Sequence, residues 1–476
     1  MSTLSLPSTL PARTISPSKK NVAKLTLWPL VAATFFMVSG GTYGTEQIIS
    51  GAGYGHGILI LLFLPVLWCL PTAFMIGELS SALPCEGGYY AWVRRGLGNF
   101  WGFQEAWLSL AASIFDMAIY PTLFVFYLKQ MSPWFAVPSH GILAGLFVVI
   151  SCAILNLAGI RVVGITSLWL FFCLSAPFAF IVVLSPFKLS ALAEAHAAAP
   201  AAGTSLGLLG GVLVAMWNYM GWDNASTIAQ EVEKPQRTYP RAMIAAVVLV
   251  SVTYVLPFAA VYLTGIPASS FAEDGSWASI AATVGGKILD FEWLRFAIVL
   301  GGMMSAFGMF NALVMSYSRL PLAMAQDGMI PKFFARTRKK SDAPWVSIIF
   351  LASCWALCLG LGFQRLITLD IMLYGGSLML EFVTLVVLRI REPHLKREFK
   401  VPGGMAGAIT LGIFPLALLA LAMVESEHES ILGMNGLVFG IIIIAAGILG
   451  YAATKKFRHP ANISSVTATQ QPAIGD

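Results

Sequence analysis

The sequence predicts an all-α integral membrane protein of twelve transmembrane helices, and three observations lead there. Charged residues make up 11% of the 476 positions and apolar residues 57%, whereas a soluble domain carries about 25% charged residues because its surface must face water. Apolar stretches recur along the whole chain, and a stretch of about 20 residues crosses roughly 30 Å of hydrocarbon as a helix. The third observation is an uneven placement of Lys and Arg. A bilayer offers backbone groups no hydrogen-bond partners, so spanning segments must satisfy themselves internally, which helices do. A large soluble protein would need polar helix faces that these stretches lack.

Taken in order, the stretches fall at 27–50, 57–82, 99–129, 140–159, 162–185, 206–232, 241–265, 292–325, 345–363, 366–391, 405–424 and 431–454. Residues 1–26, rich in Ser, Thr, Pro and Lys, read as a flexible tail and lack a secretory cleavage pattern. A second tail is expected at 455–476. No soluble domain intervenes; the longest connecting pieces are 186–205, 266–291 and 326–344.

An even number of spans puts both termini on one side. With a cytoplasmic N-terminus, 23 of the 29 basic residues fall inside, including the clusters at 332–340 and 389–400. Lys129, Lys188, Lys287, Arg295 and Arg365 fall outside, and Arg319 sits within a segment. The positive-inside rule then places both termini in the cytoplasm, in a plasma or bacterial inner membrane. The net charge of +6 is therefore a topology signal, and no nucleic-acid partner is expected. Membrane lipids are, since the two basic clusters are placed to meet anionic headgroups.

The cysteines (Cys69, Cys85, Cys152, Cys173, Cys354, Cys358) lie in or beside apolar runs without metal-like pairs. No disulfide, metal or cofactor is expected. His56, His140, His196, His394, His428 and His459 fall in loops or near segment ends, so the nucleophile–base pair or metal set of an embedded enzyme is missing.

Two segments carry interruptions that an anchor does not need. The first reads Ser39-Gly40-Gly41-Thr42-Tyr43-Gly44-Thr45-Glu46, and the sixth reads Trp217-Asn218-Tyr219-Met220-Gly221-Trp222-Asp223-Asn224. Each glycine weakens a helix by about 1 kcal/mol relative to alanine. Laid on one another as the openings of two five-segment halves (27–185 and 206–391), Gly44 falls over Gly221 and Glu46 over Asp223. Close packing explains glycine clusters in membrane helices. Paired clusters at matched positions, each followed by an acid, instead suit a pair of discontinuous helices whose unwound backbone faces a polar solute.

Here the chain resembles the amino acid–polyamine–organocation transporters. The resemblance runs over about residues 25–400, through Ser39-Gly40-Gly41, Gly77-Glu78-Leu79 with Pro84 and Gly87-Gly88-Tyr89, Gly221-Trp222-Asp223-Asn224-Ala225-Ser226, and Glu231-Val232-Glu233-Lys234-Pro235 with Pro240-Arg241-Ala242. Within that group the plant-type polyamine uptake branch is similar at residues 40–46, Phe100-Trp101-Gly102-Phe103-Gln104, Asp116-Met117-Ala118-Ile119-Tyr120-Pro121, and Asn218-Tyr219 ahead of Asp223. The resemblance implies a LeuT-type fold of two five-helix inverted repeats with discontinuous helices 1 and 6, plus two peripheral helices at 405–454. It also implies alternating access, with a polyamine such as putrescine as solute or, as the alternative, an amino acid.

Ionisable groups inside a bilayer are costly and call for a partner or a task. Glu46, Glu78, Asp116, Asp223 and Glu381 are the acids expected at depth, with Arg319 as the matching base, so a cationic amine, a proton or a metal cation is needed to balance them. Glu46 and Asp223 are each expected to start the outer half of a broken helix, where an acid also caps exposed N–H groups. A carboxylate there repels an amino acid's carboxylate and attracts an ammonium. Asp116 and Tyr120, four residues apart, are open to an amine, a proton or each other. Tyr43, Tyr219 and Trp222 are a candidate aromatic cage. Glu78 is expected to support packing, and Glu231 and Glu233 to pair near Lys234 and Arg237. The candidate solute site is thus Ser39, Gly40, Gly41, Tyr43, Glu46, Asp116, Tyr120, Tyr219, Gly221, Trp222 and Asp223. Glu46, Asp116, Asp223 and Ser305 are the candidates for coupling to H⁺ or Na⁺. The fifth segment has no Lys, which many proton-coupled or exchanging relatives carry there, so the coupling mode stays open.

Overall fold

The computed structural model describes residues 24–185, 207–271, 277–289, 293–359, 363–426, 430–431 and 434–454. The expected tail at 455–476, the expected tail at 1–26 up to residue 23, and the 186–205 connection lie outside these residues. The helices are α1 (Leu27–Val38), α2 (Glu46–Leu64), α3 (Leu70–Ala82), α4 (Gly88–Leu97), α5 (Asn99–Met131), α6 (Pro138–Ala158), α7 (Ile160–Leu184) and α8 (Gly207–Asn218). After a 3₁₀ stretch, Trp222–Glu231, come α9 (Pro235–Leu263), α10 (Trp277–Leu289), α11 (Trp293–Tyr317), α12 (Arg319–Gln326) and α13 (Trp345–Leu357). The chain closes with α14 (Phe363–Arg391), α15 (Gly404–Leu411), α16 (Ile413–Ser426) and α17 (Gly436–Ala453). A two-residue antiparallel pairing joins Ser430–Ile431 to Met434–Asn435.

Eight helical runs among the described residues are long and apolar enough to cross a bilayer; Leu27–Val38, Trp345–Leu357 and Val438–Ala453 are apolar but shorter. The boundaries depart from the hydropathy pattern where glycine intervenes. Helix α1 stops at Val38, and helix resumes at Glu46 and runs to Ala82 through a π-helical turn at Pro65–Cys69. Gly53 (φ 72°) kinks that run in the interval between the first two expected stretches, 27–50 and 57–82. The supposed loop at 266–291 contains α10, whose Trp277 is fully buried and donates to the Thr42 carbonyl at 2.9 Å.

Large apolar side chains face outward along the long helices, among them Phe147, Ile154, Trp169, Phe172, Val183, Phe296 and Ile441. Such a continuous apolar exterior is what a protein solvated by lipid needs. Inside, α5 packs along α11 and α14, α11 along α7, and α1 against α7 and α9. These contacts set α1, α5, α11 and α14 around the centre of the bundle.

One end of the bundle is tied by polar contacts. Leu25 donates to the Glu231 carbonyl at 2.9 Å and accepts from Glu233 at 2.8 Å, so the entry to α1 is laced to the exit of the 3₁₀ stretch. Glu231 pairs with Arg319 at 2.6 Å and not with Lys234 or Arg237, whereas Arg237 pairs with Glu398. Arg94 meets Asp327, and Arg95 meets Glu392 at 2.6 Å. In the 389–400 cluster, Arg389, Arg391 and Arg397 are all engaged with protein groups.

Glu78 corrects the charge ledger drawn from sequence. Its fully buried carboxylate is bound by Arg389, by Arg397 at 3.2 Å and by the Val401 amide at 2.7 Å. Arg319 does not serve the deep acids, because it turns to Glu231. Glu78→Gln is expected to lower the thermal unfolding temperature of detergent-purified protein, since breaking a buried ion pair costs about 3–5 kcal/mol. An unfolding temperature equal to wild type would show the pair to be dispensable.

Candidate functional site

The first break leaves carbonyls without intrahelical partners, and buried backbone groups must be satisfied. Three side chains from other elements supply donors. Ser305 of α11 donates to the Gly40 carbonyl at 2.6 Å, Trp277 of α10 to Thr42, and Asn218 of α8 to Gly44 at 3.2 Å. Gly41 and Gly44 hold φ of 76° and 83°, a region open to glycine at little cost. The Ser39 hydroxyl accepts from the Gly41 amide at 3.0 Å.

The second break is treated alike. The Tyr219 carbonyl accepts from Trp68 at 3.1 Å and Trp222 at 2.8 Å, and the Asn218 carbonyl accepts from Tyr254 at 2.7 Å. Gly221 turns the chain at φ 89°, and its amide donates to the Tyr374 hydroxyl at 3.1 Å. A Cβ at Gly221 would stand 2.5 Å from the Met37 carbonyl of α1, so the two breaks touch through bare backbone.

The two halves carrying Glu46 and Asp223 lie at opposite ends. Helix α2 follows the first break and packs against α8, which precedes the second; α1 packs against the 3₁₀ stretch that follows it. The two interrupted elements therefore run antiparallel, and Glu46 and Asp223 cannot both open an outer half.

Between the breaks lies a narrow cavity lined by Met37, Val38, Asp116, Tyr120, Trp217, Met220, Gly221, Asn224, Tyr317, Asp370 and Tyr374. Its free space is about that of one water, so a larger solute needs it to widen. Tyr120 donates to Asp116 at 2.6 Å and lies stacked over Trp217, ring centroids 6.3 Å apart. Tyr374 donates to Asp223 just behind the wall. Asp116, Asp223 and Asp370 are all buried, and Asp370 lies within electrostatic range of the other two. No Lys, Arg or His is among the lining residues.

Of the residues singled out from sequence, Asp116, Tyr120 and Gly221 line this cavity, and Asp223 reaches its wall through Tyr374. Ser39, Gly40, Gly41 and Ser305 stand in the hydrogen-bonded seam of the first break. Tyr219 and Trp222 face away, since the Tyr219 hydroxyl donates to the Leu61 carbonyl at 2.9 Å and Trp222 is spent on Tyr219. Tyr43 packs on Tyr127 and Phe178 at 5.3 and 4.9 Å. The expected cage of Tyr43, Tyr219 and Trp222 thus does not assemble, and Trp217, Tyr120, Tyr317 and Tyr374 surround the cavity in its place. Glu46 accepts from Tyr127 at 2.8 Å. Tyr127 lies eleven residues beyond Asp116 on α5, about 16 Å along the helix.

Asp370 and Tyr374 escaped the sequence reading. Their signal was present, because Asp370-Ile371-Met372-Leu373-Tyr374 repeats the spacing of Asp116-Met117-Ala118-Ile119-Tyr120.

A family model for amino acid permeases matches residues 31–449. The chain belongs to that family. This permease is 33% identical over 442 residues to polyamine transporter RMV1 of Arabidopsis thaliana, covering 92% of this chain and 87% of that one. It is 32% identical over 439 residues to polyamine transporter PUT1 of Oryza sativa subsp. japonica, covering 90% and 79%. The solved structure of MhsT in complex with L-phenylalanine superposes with a TM-score of 0.55 at 13% identity, covering 89% of this chain and 98% of that one. At that identity the likeness is one of fold, and it supports the LeuT-type architecture. The permease is accordingly a multi-pass membrane transporter of the amino acid–polyamine–organocation superfamily, not an enzyme.

Proposed function

We propose that the protein carries small cationic amines, polyamines such as putrescine, across the membrane by alternating access. In this reading the spans number twelve, with α1/α2 and α8/3₁₀ as two interrupted helices, and both termini are cytoplasmic. Asp116, Asp223 and Asp370 take the ammonium groups, and the rings of Trp217, Tyr120, Tyr317 and Tyr374 add cation–π attraction. The observation that carries the proposal is a cavity walled by carboxylates and aromatic rings with no basic side chain among its lining residues. The relatives named as polyamine transporters support it.

An amino acid is the competing solute, and two features weigh against it. Its carboxylate would face three acids. The amides that would hold it are also spoken for, Gly41 by Ser39 and Gly221 by Tyr374.

Purified protein in liposomes is expected to take up radiolabelled putrescine saturably, with excess amino acids failing to compete. Uptake of an amino acid without any uptake of amine would overturn the assignment. Gly221→Ala is expected to cut putrescine uptake severely, because the new Cβ meets the Met37 carbonyl at a left-handed φ. Wild-type uptake by that variant would show that the two breaks need not touch.

A further inference from the structure

A second acidic cluster lies outside the cavity, where α5 and α14 pack together. Glu105 and Glu381 are both fully buried. Neither oxygen of Glu381 has a hydrogen-bond partner, nor has Oε2 of Glu105, whose other oxygen receives Ser109 at 3.4 Å. Tyr89 of α4, also fully buried, has a hydroxyl without a hydrogen bond and feels the charge of both glutamates. The groups facing the pair are Tyr89 from α4, Ser109 from α5, Ser377 and Tyr374 from α14, and Asp223 from the 3₁₀ stretch. None is basic. Arg389, eight residues beyond Glu381 on α14, is about 12 Å along the helix and committed to Glu78.

Two neighbouring carboxylates withdrawn from water, with no cation in reach, cannot both remain ionised. Something positive must sit there. Neither glutamate lines the cavity, and no group of three acidic, His or Cys ligands fit for a metal occurs among the described residues. The smallest cation, a proton, meets that need with no further ligand.

We propose that Glu105 and Glu381 share one proton, and that the proton is released when a cationic solute engages Asp223. The link is electrostatic. Asp223 repels negative charge on the pair and so favours its protonated form; an ammonium on Asp223 cancels that repulsion, and the proton leaves. By reciprocity, protonating the pair weakens amine binding. The release step rests on the amine reading of the cavity; the presence of the shared proton does not.

Infrared difference spectroscopy of purified protein tests the proton without any solute. The wild type should show the C=O stretch of a protonated carboxyl at neutral pH that Glu105→Gln/Glu381→Gln lacks. Identical spectra would overturn the proposal. Should the double variant fail to fold, Glu381→Gln alone must remove or move the band, and an unmoved band is equally fatal. Adding putrescine to weakly buffered protein should then acidify the medium with wild type but not with the double variant, although both bind. Equal acidification by the two would refute the release step. Failure of putrescine to bind either protein would contradict the amine reading and leave the infrared result standing.

Discussion

Asp223→Asn is expected to abolish amine uptake while leaving the protein folded. The substitution keeps the shape of the side chain and an oxygen to accept from Tyr374, so the local fold survives. What it removes is the charge that an ammonium would meet out of water. Truncating one partner of a buried charge pair costs about 2–5 kcal/mol, or roughly 30-fold to several-thousand-fold in affinity. The measurement is putrescine binding to purified protein beside its unfolding temperature. Loss of binding at an unchanged unfolding temperature fits the account. Wild-type affinity in a folded Asp223→Asn protein would remove Asp223 from the site.

Asp370→Asn is expected to act on a different property, the preference for two amino groups over one. Asp116 is occupied by Tyr120 and Asp223 by Tyr374, whereas Asp370 lines the cavity from the first half of α14. It is therefore placed to take the second ammonium of a diamine. A charged hydrogen bond is worth about 1.5–3 kcal/mol, so putrescine affinity should fall roughly 10-fold to 150-fold and approach that of a monoamine of the same length. Competition by putrescine and butylamine reads this out. An undiminished preference for the diamine would assign the second ammonium elsewhere. Glu46→Gln is expected to have the smaller effect, because Glu46 is held by Tyr127 well along α5 from Asp116.

The membrane class was legible in composition, and the glycines near which α1 and α8 end were legible because their effect is local. Clustered glycines weaken a helix wherever they occur, and Gly41, Gly44 and Gly221 do adopt the left-handed backbone. The direction of the side chains beside them was not legible. A residue with positive φ swings the following chain out of helical register, so the 3.6-residue period no longer tells which way Tyr43, Tyr219 or Trp222 points. Ion pairing failed for another reason. Glu78 and Arg389 are 311 residues apart in sequence, and no spacing rule reaches across that interval. Asp370 was missed although its pattern was there. Asp370 lies in an unbroken helix without the glycine that precedes Glu46 and Asp223, so no local break marks it as an acid of the cavity.

The central claim is that a cationic amine sits among Asp116, Asp223 and Asp370 inside a ring of aromatic side chains. A structure of the protein determined with putrescine bound tests it most directly. The account predicts density for the diamine beside Trp217 and Tyr374, with its nitrogens against those carboxylates. Density placed instead beside Glu46 and Tyr127, or along the backbone of the two breaks with the three aspartates turned away, would contradict it.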